Sequence, residues 1–276
     1  MRPSLVTSLV LALGAAAPAG AQTLKVDYGI SLAGLPMGTA DLSTTLDGSR
    51  YRMQVGAKLT GLAGMITGGK GGATATGAVG GGQPVPASFA ITSRASSGER
   101  TVRMGLSGGN VAALDINPPI DEKPDRVPLA ESHKRGVVDP VSALIMPAVK
   151  ADPLDPANCN RTLPIFDGAA RFDVVLTYGE TRPVEKPGYK GQVLVCNARY
   201  VPIAGHRALR PSTKFMQENR DLQVWLAPVE GSRLLMPMRI AVRTMVGMSV
   251  IEAERWALAD EPKGAAPRAS RASVAQ

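Results

Sequence analysis

The chain has little of what most catalytic and metal-binding proteins are built from. Its 276 residues include two cysteines and two histidines. That excludes a Cys-rich zinc module and leaves few partners for a histidine-centred acid–base pair. Aromatic residues are 4% of the chain, so the core must be built from aliphatic and small side chains that each bury less apolar area than a ring. Long hydrophobic runs are missing too. The longest, Leu5 to Ala17, is about 13 residues, short of the roughly 20 that a spanning helix needs, so the mature protein should be soluble.

That run belongs to an export signal. Arg2 precedes it, Pro18 breaks it, and Ala19-Gly20-Ala21 supplies the small-x-small pattern of a signal-peptidase site. A cleaved leader over residues 1–21 and periplasmic location follow as expectations. The remaining length suits one β domain over 22–259, and residues 260–276, rich in Ala, Ser, Pro and Arg, read as a disordered tail. In an oxidising compartment Cys159 and Cys196, 37 residues apart, suggest an intramolecular disulfide. Two buried free thiols are the alternative. The formal charge of +8 invites an anionic partner. For an exported protein that means lipid head groups or acidic polymers rather than nucleic acid, and a solvated basic surface without a partner is the other reading.

What is present in quantity is strict alternation of apolar and polar residues, the period-2 signal of strands. Leu24, Val26, Tyr28, Ile30 and Leu32 form one face. Gly34 to Gly38 reads as a turn, Ala40, Leu42, Thr44 and Leu46 as the next strand, and Asp47-Gly48 as a two-residue hairpin. Tyr51, Met53, Val55, Ala57 and Leu59 complete a three-stranded meander. Residues 61–84 are Gly-rich, with Thr and Ala alternating, and fit either a thin strand or a loop. Residues 117–136, with four prolines, read as a long exposed connection.

Asp139-Pro140 carries an N-cap followed by a first-turn proline, which predicts one short helix near 139–146 with Val141, Leu144 and Ile145 on one face. Later strands follow at Phe172–Tyr178, Leu194–Tyr200 and Leu222–Leu226. Met236, Met238, Ile240, Val242 and Thr244 read as one long apolar face, paired across Gly247 with 248–258. The fold class expected is all-β, with antiparallel strands.

Several of these stretches together carry a resemblance. They are Ala33-Gly34-Leu35-Pro36-Met37-Gly38, Leu59-Thr60-Gly61-Leu62, Gly136-Val137-Val138-Asp139-Pro140-Val141-Ser142-Ala143-Leu144, Phe166-Asp167-Gly168, and Tyr200 to Arg207, with Cys159 and Cys196 between them. In order and spacing they resemble a family of exported proteobacterial proteins, domain of unknown function family 3108, over about residues 24–258. The resemblance implies a single, highly curved antiparallel sheet forming an open barrel or spiral. It implies no activity.

Candidate chemistry is sparse. Gly64 to Gly71 falls one residue short of a phosphate-binding loop, lacking the Ser or Thr after Lys70 and a following helix. His133 and His206 have no ligands at metal spacing, and Ser142 lies in no nucleophile elbow. The carboxylate pairs Asp121/Glu122 and Asp260/Glu261 fall in loop or tail. No metal, cofactor or catalytic group is assigned. One basic constellation stands out: Arg199, Arg207, Arg210, Lys214 and Arg220 against Glu218, suited to phosphate or sulfate recognition through guanidinium forks. Exposed arginines on a strand and loop are the plainer reading. The function expected is a non-catalytic periplasmic cell-envelope protein binding a lipid or other amphiphile in the concave face of its sheet. The alternative is a scaffolding protein contacting other envelope proteins, with a hydrolase third.

Overall fold

Alternation produces strands along most of the chain. The computed structural model describes residues 21–260, except 62–63, 65–68 and 97. Residues 1–20 of the expected leader and 261–276 of the expected tail lie outside the described residues. The strands are β1 (Gln22–Leu32), β2 (Leu35–Asp47), β3 (Arg50–Leu59), β4 (Lys70–Gly80), β5 (Gln83–Ala95), β6 (Gly98–Ser107) and β7 (Asn110–Asn117). They continue with β8 (Met146–Pro147), β9 (Arg161–Phe166), β10 (Arg171–Lys186), β11 (Tyr189–Ala204), β12 (Leu222–Pro228), β13 (Leu234–Thr244) and β14 (Gly247–Asp260). An α-helix, here α1, spans Pro211–Glu218.

All fourteen strands belong to one antiparallel sheet, ordered β7-β6-β5-β4-β3-β2-β1-β14-β13-β12-β11-β10-β9, with β8 paired to β13. The first and last strands meet in its middle, Gln22 opposite Asp260 and Leu32 opposite Ser249. Its two edges, β7 and β9, are drawn together. Val137 N–H donates to Gly109 O at 2.7 Å beside β7, while Val138 N–H donates to Pro164 O at 2.9 Å on β9. A Cβ added at Gly168, in the β9–β10 turn, would strike Val102 of β6 and approach Leu114 of β7. The sheet therefore curls into a barrel-like wrap, as the family resemblance implied, and its edges are bridged through the 137–138 segment.

Residues 137–147 run into the interior and divide its packing. Val137, Val141 and Ile145 join a large cluster with Leu24, Val26, Met53 and Phe89. Val138, Ala143 and Met146 join a second cluster with Leu163, Leu176, Leu194 and Leu226. Polar anchors position this filling. Tyr51 donates its hydroxyl to Ser142 Oγ at 2.7 Å, and Tyr28 donates to Pro237 O at 2.7 Å, both buried.

Four local expectations require correction. The segment 139–146 is not an α-helix: Asp139 Oδ1 accepts from Val141 and Ser142 N–H, but only Ser142–Leu144 winds, as a 3-10 turn. Pro147 and the pairing of Met146 with Leu235 draw the chain out into β8. The first turn is tighter than the Gly34–Gly38 reading. Ala33 and Gly34 alone connect β1 to β2, both at positive φ (49° and 81°), the geometry of a type I′ hairpin. The next hairpin is shifted by one residue, to Gly48-Ser49. On β13 the single apolar face is broken by a bulge against Trp225/Leu226, so Met236 and Met238 face the first cluster while Ile240 and Val242 face the second. An extra residue in one strand has this effect. Within residues 61–84, Lys70–Gly80 is strand, with Ala73 and Ala75 buried.

Candidate functional site

The second cluster is incompletely filled. A cleft of about 220 Å³ opens between the interior segment and strands β9–β13. Its walls include Ala143, Leu144, Ile165, Val174, Ala198 and Val242, and of all its lining side chains Gln223 is the one polar member. No lining residue can act as acid, base or nucleophile.

The wall owes its position to both ends of the interior segment. At one end Asp139 Oδ1 accepts from Val141 N–H at 3.0 Å and Ser142 N–H at 2.9 Å, which sets the turn that carries Ala143 and Leu144. At the other, Arg161 donates to Pro147 O at 3.0 Å and Asn158 O at 2.9 Å, while Asn158 Oδ1 accepts from Val149 N–H at 2.8 Å. Behind the cleft lies the Cys159–Cys196 disulfide, with Cα atoms 5.4 Å apart and both residues fully buried among Leu163, Leu176 and Leu194. The disulfide read from the sequence is present.

Burial also leaves two carboxyls out of their ordinary range. Asp139 is fully buried, its Oδ2 has no partner, and desolvation pushes its pKa up against the hydrogen bonds that Oδ1 accepts. Asp167 is raised by desolvation as well, although Ala169 and Ala170 N–H donate to it at 2.8 and 2.7 Å. Phe166-Asp167-Gly168, one of the stretches that carry the family resemblance, forms the turn between β9 and β10. Neither carboxyl lines the cleft.

The five basic residues are spread over β11, the turn after it, α1 and the connection to β12. Arg207 donates to Asp125 Oδ1 at 2.8 Å, a bond that holds the Asp125 carboxyl below its usual range. Arg210 is the N-cap of α1 and Lys214 lies in its first turns, both exposed. Arg220 stands beyond the far end of that helix, and Arg199 projects from β11. Arg199 directly follows the wall residue Ala198 on β11 and so points to the opposite face of that strand, while Arg220 lies two residues before the wall residue Leu222. His206 is partly buried, and desolvation lowers its pKa. His133 Nδ1 accepts from Ala130 N–H at 3.0 Å. Among the described residues no group of three His, Cys, Asp or Glu is placed to hold a metal. No helix of the described residues is long and apolar enough to cross a membrane.

Residues 24–254 match the profile of a protein family of unknown function, DUF3108. The chain belongs to this family. Stretches that carried the resemblance in the sequence fall at joints of this fold: the Ala33-Gly34 hairpin, the 136–144 filling segment, the Asp167 turn, and Gly205-His206. There Gly205 N–H donates to Val127 O and Val127 N–H to His206 O. A solved structure, the beta-barrel-like protein of domain of unknown function DUF1849 from Brucella abortus, aligns at a TM-score of 0.49 and 10% identity, covering 87% of this chain and 98% of that one. Among curated proteins none matches.

The cleft itself was not legible in the sequence. Ala198, Leu222 and Val224 were read on strand faces, strand by strand. Their meeting with Ala143 and Leu144 around a common space depends on the curl of the sheet and on the β13 bulge.

Proposed function

We propose that this DUF3108 protein is a non-catalytic, periplasmic cell-envelope protein that holds the hydrocarbon part of a lipid or other amphiphile in the cleft between residues 140–146 and β9–β13. The observation that carries the reading is the lining: about 220 Å³ of space walled almost wholly by aliphatic side chains. Apolar cavities stay dry, and one of about 150 Å³ already accepts benzene. A short acyl segment would fit here and gain about 0.8 kcal/mol per buried methylene. Arg220, exposed beside the start of β12, is placed to meet an anionic head group; Arg199, Arg210 and Lys214 would add longer-range attraction. The leader-like sequence and the disulfide support the envelope location.

Native mass spectrometry of protein released from its own envelope without detergent tests this reading. The expected result is a bound mass of lipid size that organic extraction removes. Protein at its bare mass would contradict it. A scaffolding role has one feature in its favour, the mostly exposed edge strand β7. A co-purifying polypeptide in place of lipid would support that alternative.

A further inference from the structure

One end of the barrel carries a surface that the cleft does not explain. The β1–β2 and β13–β14 hairpins turn side by side there: Ala33 N–H donates to Met248 O at 2.8 Å, and a Cβ added at Gly247 would lie 2.8 Å from Ala33 Cβ. At these two adjoining tips Leu35, Met245 and Val246 are 67, 60 and 72% exposed. Three large apolar side chains projecting from neighbouring hairpins are a cost in water unless something covers them.

The charges behind the tips indicate what does. On the adjacent strands Lys58 of β3 stands directly opposite Lys70 of β4. Like charges in register destabilise a sheet, and both lysines are exposed, with no ion-pair partner among the described residues. Arg100, near the start of β6 at this end, is likewise exposed and unpaired. The nearest acids by register are largely engaged: Glu99 pairs with Arg94, Glu252 with Lys186 and Asp221 with Arg243. Asp41 and Glu254 are unpaired and reduce the positive excess without cancelling it. Lys58 lies opposite Thr39, four residues from Leu35 along β2, or about 13 Å at the rise of a strand. A lysine that far back, extended toward the rim, reaches the phosphate layer when the apolar tips sit at the acyl boundary.

We infer that this end of the barrel docks on an anionic bilayer surface, with Leu35, Met245 and Val246 entering the interface and Lys58 and Lys70 meeting lipid phosphates. The site is separate from the cleft, yet close to it. The cleft-wall residue Val242, near the end of β13, lies three residues before Met245 of the β13–β14 turn, a separation of about 10 Å at the rise of a strand.

The test is co-sedimentation of the full chain with vesicles of phosphatidylcholine containing 30% phosphatidylglycerol, and with phosphatidylcholine alone. Wild type should bind the anionic vesicles and lose most of that binding at high salt. Lys58→Gln with Lys70→Gln should weaken anionic binding on the order of tenfold or more, at about 1 kcal/mol per lysine. Leu35→Ser with Met245→Ser and Val246→Ser should reduce binding to both vesicle types, at an unchanged melting temperature because the side chains are exposed. In Met245→Trp, bromine carried on the acyl chains should quench the new indole. Binding that is the same in all variants, a tip indole that bromolipid leaves unquenched, or self-association through the tips without vesicle binding would overturn the inference. None of these outcomes depends on occupancy of the cleft, which is read separately by retained lipid mass.

Discussion

The hydroxyl of Tyr51, on β3, meets Ser142 Oγ at 2.7 Å inside the barrel, joining the N-terminal wall to the segment that fills the interior. Three residues before Ser142, Asp139 is fully buried with one carboxyl oxygen unpartnered. The fold thus relies on a polar hinge in a mostly aliphatic core.

That hinge makes stability depend on pH. Burial raises the Asp139 pKa in the folded state above its unfolded value. The folded protein then holds a proton over a range in which the unfolded chain has released it. The contribution is complete below the ordinary carboxylate range and is lost as pH rises through the raised value. Asp139→Asn keeps an acceptor for Val141 and Ser142 N–H and removes the ionisation. As pH rises from the ordinary carboxylate range through the raised value, the wild type should lose stability relative to D139N. Urea denaturation across that range measures it, and parallel curves for the two proteins would contradict the assignment.

The same hinge shows how far the sequence could be read. Asp139-Pro140 has a helix-start signature and does cap a turn, but Pro147 and the pull of β13 leave room for only a 3-10 turn. The true helix, Pro211–Glu218, also starts with proline at its first position. It lacks buried residues, so no apolar period announced it. β4 was ambiguous for the opposite reason. Its buried positions are Ala73 and Ala75, whose small side chains give little contrast against Gly and Thr. The meander of β1 to β3, with Leu24, Val26 and Met53 inward, was plain because large aliphatics alternate with charge. Closure of the edges through Val137 and Val138 had no local sign, since it rests on backbone bonds between distant strands.

The Cys159–Cys196 bond should matter more here than in a core rich in aromatics. It ties the turn after Asn158 to the middle of β11, with Cα atoms 5.4 Å apart, within the range of an ordinary bridge. Cys159→Ser with Cys196→Ser should lower unfolding stability by about 2–4 kcal/mol while the far-ultraviolet dichroism keeps its strand signature. Equal stability of the variant and the oxidised wild type would contradict this view of the floor of the cleft.

Titration with a dansyl-labelled undecanoic acid shows whether the space beside Val174 receives an acyl chain. Val174 is half-buried and lines the cleft, so Val174→Trp fills it from a strand whose own pairing is untouched. Wild type should bind the probe saturably at one site. The variant should bind it at least about tenfold more weakly, since losing two or more methylene contacts at about 0.8 kcal/mol each suffices, with its melting temperature as the control for folding. Equal affinity in the two proteins would contradict the account.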